Sequence, residues 1–130
     1  MNEQAAAWMS AIDGLADVHA RMRGVAITAR PALDVILAYD GPTTCMYLDP
    51  PYPHSTRSAG GYRHEMTIRD HEALLDVIVK CKARVAISTY PNALYENALD
   101  GWNRHTFDLP NNAAHGVTKQ RELEILYTNW

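Results

Sequence analysis

Cysteine is scarce in this sequence. Cys45 and Cys81 are the only two, too few for a disulfide scaffold, and in apolar-looking segments they read as reduced thiols. An excess of positive charge is also missing. Twelve Lys and Arg stand against fifteen Asp and Glu, a formal net charge of −3, so no global basic field draws in nucleic acid and any phosphate contact needs a local patch. No apolar run approaches a membrane span, and Met1-Asn2-Glu3-Gln4 lacks the basic start of a signal peptide. No membrane partner is expected, and the cytoplasm is the expected compartment. His64-Glu65 and His71-Glu72 begin like H-E-x-x-H, but Ile68 and Leu75 occupy the fifth positions and no C-x-x-C occurs, which argues against a metal. Ser88 lacks a G-x-S-x-G elbow, which argues against hydrolase chemistry.

What is present is globular. With 47% hydrophobic and 21% charged residues, a chain of 130 residues suits one domain, residues 1–130, with a core of its own. Ala5 to Arg23 is rich in helix formers and broken by Gly14. Val25-Ala26-Ile27-Thr28 is a short β candidate. Pro31 suits the first turn of a helix whose apolar face is Leu33, Ile36 and Leu37, stopped by Asp40-Gly41-Pro42. Thr43 to Leu48 is nearly continuous in apolar and β-branched residues, as in a strand covered on both faces. Thr67 reads as the N-cap of a helix over Leu74, Leu75, Ile78 and Val79. Arg84 to Ser88 is the next buried strand, Ala93 to Leu99 a short helix closed by Gly101, and Trp102 to Leu109 with Glu122 to Thr128 a closing antiparallel hairpin. Trp8, Trp102 and Trp130 read as core or surface anchors, and Tyr90 and Tyr95 as pocket-lining or packing residues. The alternation means an α/β layer fold with parallel strands, in which ligands gather outside the carboxyl ends of the strands.

Asp49-Pro50-Pro51-Tyr52 stands at such an end. The prolines fix φ and remove two N–H donors, leaving carbonyls aimed in set directions. The carboxylate adds acceptors, and the tyrosine adds a flat face with a polar tip. Acceptors without donors, beside a stacking plate, suit a planar base carrying an amino group. The bland alternative is a plain turn closing a strand.

Asp49-Pro50-Pro51-Tyr52 after Tyr47-Leu48 resembles the catalytic motif of the Dam-like DNA N6-adenine methyltransferases, found among phage and restriction-modification enzymes. Val25-Ala26-Ile27-Thr28 with the helix Ala32 to Ala38, Tyr62-Arg63-His64-Glu65-Met66-Thr67 with His71 and Leu74-Leu75, Ile87-Ser88-Thr89-Tyr90-Pro91 with Leu94-Tyr95, and Arg121 to Asn129 resemble the family's flanking segments. The likeness runs from about Leu15 onward. It implies a Rossmann-like sheet of the S-adenosylmethionine-dependent methyltransferase type, DNA as substrate, and methyl transfer from S-adenosylmethionine to the N6 amine of adenine. Asp49, Pro50, Pro51 and Tyr52 would be catalytic, and Pro31, Ala32 and Asp49 would lie against the cofactor. Tyr52, His54, Arg57, Arg63, His64, Lys119 and Arg121 would face the nucleic acid; a solvated charged loop is the blander reading of those basic residues. The sequence departs from the family in having no G-x-G, its one glycine pair being Gly60-Gly61, and in Pro31-Ala32, where members often carry an acidic or hydroxyl residue and an aromatic. The chain begins where the family's third strand is about to start. A sheet truncated at its N-terminus is therefore expected, with an open edge beside Leu48 and the missing half supplied by another polypeptide or by residues outside this sequence. A non-catalytic remnant or interaction module, and an amino methyltransferase acting on RNA or on a protein amide, are the alternatives.

Overall fold

The computed structural model describes residues 2–53, 64–110 and 121–130. It divides into two compact units, Met1–Arg30 and Pro31–Trp130.

The first unit holds α1 (Glu3–Asp13) and α2 (Leu15–Met22). Asn2 caps α1 by accepting the Gln4 N–H at 3.0 Å, and Gly14 separates the helices where the sequence places the break. Neither helix buries a residue. The β candidate Val25-Ala26-Ile27-Thr28 is not a strand. Branched side chains favour extended backbone, but a strand also needs a neighbour to pair with and a surface to cover it; Ile27 is 84% exposed.

The second unit is built on a four-stranded mixed sheet. Its elements are α3 (Ala32–Tyr39), β1 (Cys45–Leu48), α4 (Ile68–Ile78), β2 (Arg84–Thr89), α5 (Ala93–Ala98), β3 (Asn103–Pro110) and β4 (Arg121–Thr128). The strand order is β1-β2-β4-β3; β1 runs parallel to β2, while β2 and β3 each pair antiparallel with β4. The α/β layering and the closing hairpin agree with the sequence. Thr67 caps α4 through a reciprocal box with Asp70: the Asp70 N–H reaches Thr67 Oγ1, and Asp70 Oδ2 accepts the Thr67 N–H at 2.8 Å. These bonds hold the Asp70 carboxyl below its ordinary range. Gly101 turns the chain from α5 toward β3 at φ 84°, a left-handed backbone that a side chain would strain.

Alternation along the strands sorts residues to two faces. Val85 and Ile87 of β2 and Ile125 and Tyr127 of β4 join Ile36, Leu74, Leu75, Ile78, Tyr95 and Leu99 in one core, so α3, α4 and α5 cover the same face. His71 and Tyr95, both buried, share a hydrogen bond of 2.9 Å between Nδ1 and the phenol, and burial pushes that phenol up to about 12. The opposite face carries Tyr47, Ser88, Glu124, Phe107 and Leu109. Here the structure corrects the sequence. β1 is not covered on both faces: it alternates exposed with half-buried residues and leaves Tyr47 64% exposed, while its place at the edge of the sheet agrees with the open edge expected beside Leu48. The strand buried throughout is β2, where all but Arg84 are buried.

Two polar clips fix the start of β2. Asp40 Oδ1 accepts the N–H groups of Lys82 and Ala83 at 2.8 and 2.9 Å. Asn129 accepts the Val85 N–H at 2.9 Å and donates to the Ala83 carbonyl at 3.0 Å. Half-burial and the neighbouring Asp40 carboxylate raise the Cys81 thiol above its ordinary value; Cys45 is a free, exposed thiol.

Candidate active site

β1 ends at Leu48 because the next residues contain three prolines, at 50, 51 and 53, which cannot donate to a ladder. The parallel register Leu48↔Ile87 sets the following pair, Asp49 and Ser88, side by side. Ser88 Oγ donates to Asp49 Oδ1 at 2.8 Å and lies 3.3 Å from the Leu48 carbonyl, while the Tyr47 phenol donates to Ser88 Oγ at 3.3 Å. Ser88 is 2% exposed, whereas Asp49 is exposed. The carboxylate is therefore held from below by a buried hydroxyl and open above.

The open side is a cavity of about 590 Å3, within the usual range for small-molecule sites, ~300–1,000 Å3. The start of α3 contributes Pro31, Ala32, Leu33, Asp34 and Ile36; β1 and its exit contribute Tyr47, Leu48, Asp49, Pro50 and Pro51; the entry and body of α4 contribute Met66, Asp70 and Leu74. The three residues assigned to the cofactor by resemblance, Pro31, Ala32 and Asp49, thus share one cavity with Pro50 and Pro51. Among the described residues the charged lining side chains are all carboxylates, Asp34, Asp49 and Asp70, which favours ligands that present positive or amino groups.

Tyr52 is not among the lining residues. Its phenol donates to Glu124 Oε1 at 2.7 Å, and its ring meets that of Tyr90 edge-on, centroids 4.5 Å apart at 67°. Burial first, then the hydrogen bond to Glu124 and the charge of Asp49, push the Tyr52 phenol far above its ordinary value, against an opposing contribution from Ser88. This phenol stays protonated and donating. Of the two tyrosines beyond β2, Tyr95 is core packing and Tyr90 supports Tyr52.

Of the residues assigned to nucleic acid, His64 is exposed before α4, and Arg121 starts β4 bound to Asp108 of β3 at 2.9 Å. His54, Arg57, Arg63 and Lys119 lie outside the described residues. Among the described residues no cluster of His, Cys, Asp or Glu could hold a metal, and no helix is long and apolar enough to cross a membrane.

Sequence reasoning missed Ser88 as the partner of Asp49 and Glu124 as the partner of Tyr52. Both contacts join residues far apart in the chain, 39 and 72 positions. The available signals were a hydroxyl at the end of a buried strand and an acid immediately before Ile125, where β4 becomes buried.

Among curated proteins none matches the chain. The family model described as D12 class N6 adenine-specific DNA methyltransferase matches residues 6–112, a span that contains β1, its Asp49-Pro50-Pro51-Tyr52 exit, β2 and the whole cavity lining. With that site inside the matched span, the chain belongs to the D12 class N6 adenine-specific DNA methyltransferase family.

Proposed function

We propose that the chain carries the catalytic cavity of an enzyme that transfers a methyl group from S-adenosylmethionine to the N6 amine of adenine in DNA. The observation that carries this reading is the Asp49 carboxylate, exposed on the wall of a 590 Å3 cavity and followed by two prolines that offer carbonyls and no N–H. An adenine amine is a poor nucleophile because its lone pair is delocalised into the ring. Accepting its hydrogens at the Asp49 carboxylate and the Pro50 carbonyl favours a pyramidal nitrogen and offsets the positive charge it gains, mainly in the transition state. Pro51 stiffens the turn. Tyr52 stacks on a base swung out of the duplex, worth roughly 1–3 kcal/mol, and the tie to Glu124 holds its ring in place.

S-adenosylmethionine supplies an activated methyl on a sulfonium. The cavity suits it in volume, in its apolar walls at Leu33, Ile36 and Leu74, and in carboxylates that complement the sulfonium and ammonium charges. Pro31 and Ala32 would lie against the cofactor, with Asp49 shared between cofactor and amine. Exposed His64, with His54, Arg57, Arg63, Lys119 and Arg121, would serve the phosphates. The edge position of β1 supports a sheet of the Rossmann-like type completed by further strands, from residues outside this sequence or from another polypeptide.

Adenine methylation of duplex DNA, with Asp49→Ala alongside, tests the reading. Wild-type methylation that falls about 100-fold or more in Asp49→Ala is the expected result. Methylation unchanged in Asp49→Ala overturns the assigned role. No methylation together with no binding of S-adenosylmethionine by calorimetry would return the chain to a non-catalytic module, and preference for RNA in competition would reassign the substrate.

A further inference from the structure

The buried hydroxyl under Asp49 has no place in the acceptor chemistry just described, yet it touches the reacting carboxylate. Ser88 has one proton to give. Asp49 Oδ1 lies at 2.8 Å and the Leu48 carbonyl at 3.3 Å, and the Tyr52 phenol oxygen is a further hydrogen-bond partner of the hydroxyl. The charged oxygen is the strongest acceptor of the three, and the Tyr47 phenol, donating to Ser88 Oγ at 3.3 Å, strengthens that donation by polarising the hydroxyl. Ser88 sits on a central strand and is 2% exposed, so its rotamer is set by packing. Asp49 follows an edge strand and is exposed. Without the serine the carboxylate could turn freely toward water.

We propose that Ser88 is a positioning residue: by holding Asp49 Oδ1, it turns Oδ2 outward as the acceptor for the substrate amine. This rests on the methyl-transfer reading above and deepens it by dividing the labour between the two carboxylate oxygens. Asp49 itself touches substrate; Ser88 acts through it.

The test is steady-state methylation of duplex DNA by the wild-type chain and by Ser88→Ala, Ser88→Thr and Ser88→Cys, each checked by thermal melting. Misplacing a reacting group by about 1 Å can cost ~100-fold in rate. The expected result for Ser88→Ala is a kcat lower by about 10- to 100-fold, with KM for DNA and for S-adenosylmethionine within about threefold of wild type. Ser88→Thr, which keeps the hydroxyl, restores kcat to within about threefold, and Ser88→Cys, a weaker donor of similar size, falls between. The cysteine variant carries the measurement if the alanine variant does not fold. A folded Ser88→Ala with wild-type kcat overturns the inference, as does a threonine variant as slow as alanine, or a change confined to the melting midpoint; each leaves the methyl-transfer reading standing. A wild-type chain that neither methylates nor binds S-adenosylmethionine overturns both.

Discussion

The first thirty residues and the hundred that follow contrast in what holds them. α1 and α2 are as well written locally as any helix in the chain: an asparagine cap, a glycine break, an acidic first turn. Yet none of their residues is buried, and Trp8, Met9, Leu15 and Val18 are exposed. At 11 and 8 residues they are short of the ~12–15 at which isolated helices become even marginal in water. α4, equal in length to α1 and also capped, buries His71, Leu74, Leu75 and Ile78. Local signals specify where a helix starts and stops; burial decides how much stability it adds. The whole candidate site lies in the second region, where burial fixes it.

Core truncation is the strongest way to break that contrast. Ile78→Ala, at a fully buried position on α4, is expected to cost ~2–5 kcal/mol in chemical denaturation, whereas Trp8→Ala, removing a larger side chain that is 66% exposed, is expected to stay within about 0.5 kcal/mol. Equal losses would mean that the first region is supported as firmly as the second.

Alkaline titration sharpens the same point through Tyr95. Its phenol is raised to about 12 by burial, against about 10 in an unfolded chain. The folded state therefore favours the neutral form. That contribution is complete below about pH 10 and is lost as pH rises from about 10 through 12. The melting midpoint should fall over that window, more gently in Tyr95→Phe; Tyr52, shifted in the same direction, maintains part of the slope. An identical alkaline slope in the two proteins would remove Tyr95 from the account.

The smallest effect compares two caps of the same kind. Thr67→Ala removes the box at the start of α4 and should lower stability by about 1 kcal/mol in denaturant. Asn2→Ala removes the cap of α1 and should reduce helical circular dichroism while leaving the denaturation midpoint of the core in place. A shift of that midpoint equal to the Thr67 effect would erase the distinction.

Much of this was legible in the sequence. Thr67, Gly14 and Gly101 mark element ends because caps and left-handed turns depend on a few neighbouring residues. The Asp49-Pro50-Pro51-Tyr52 exit was legible because three prolines stop a strand wherever they stand. Where cover and long-range pairing mattered, reading along the chain failed. Cys45-Met46-Tyr47-Leu48 has the composition of a strand covered on both faces and instead alternates exposed with half-buried residues, and Val25 to Thr28 has the composition of a strand and is none. Ser88 and Glu124 acquire their partners only when the sheet brings β1, β2 and β4 together.

Asp40 ties this geometry together from a distance. Its one carboxylate oxygen receives the N–H groups that open β2, and it stands at the close of α3, whose opposite end walls the cavity. The roof of the pocket and the strand beneath the reacting acid are thereby pinned to a common post. Loosening that post would let both drift, so a change well outside the pocket could spoil its alignment and leave every group inside it chemically intact.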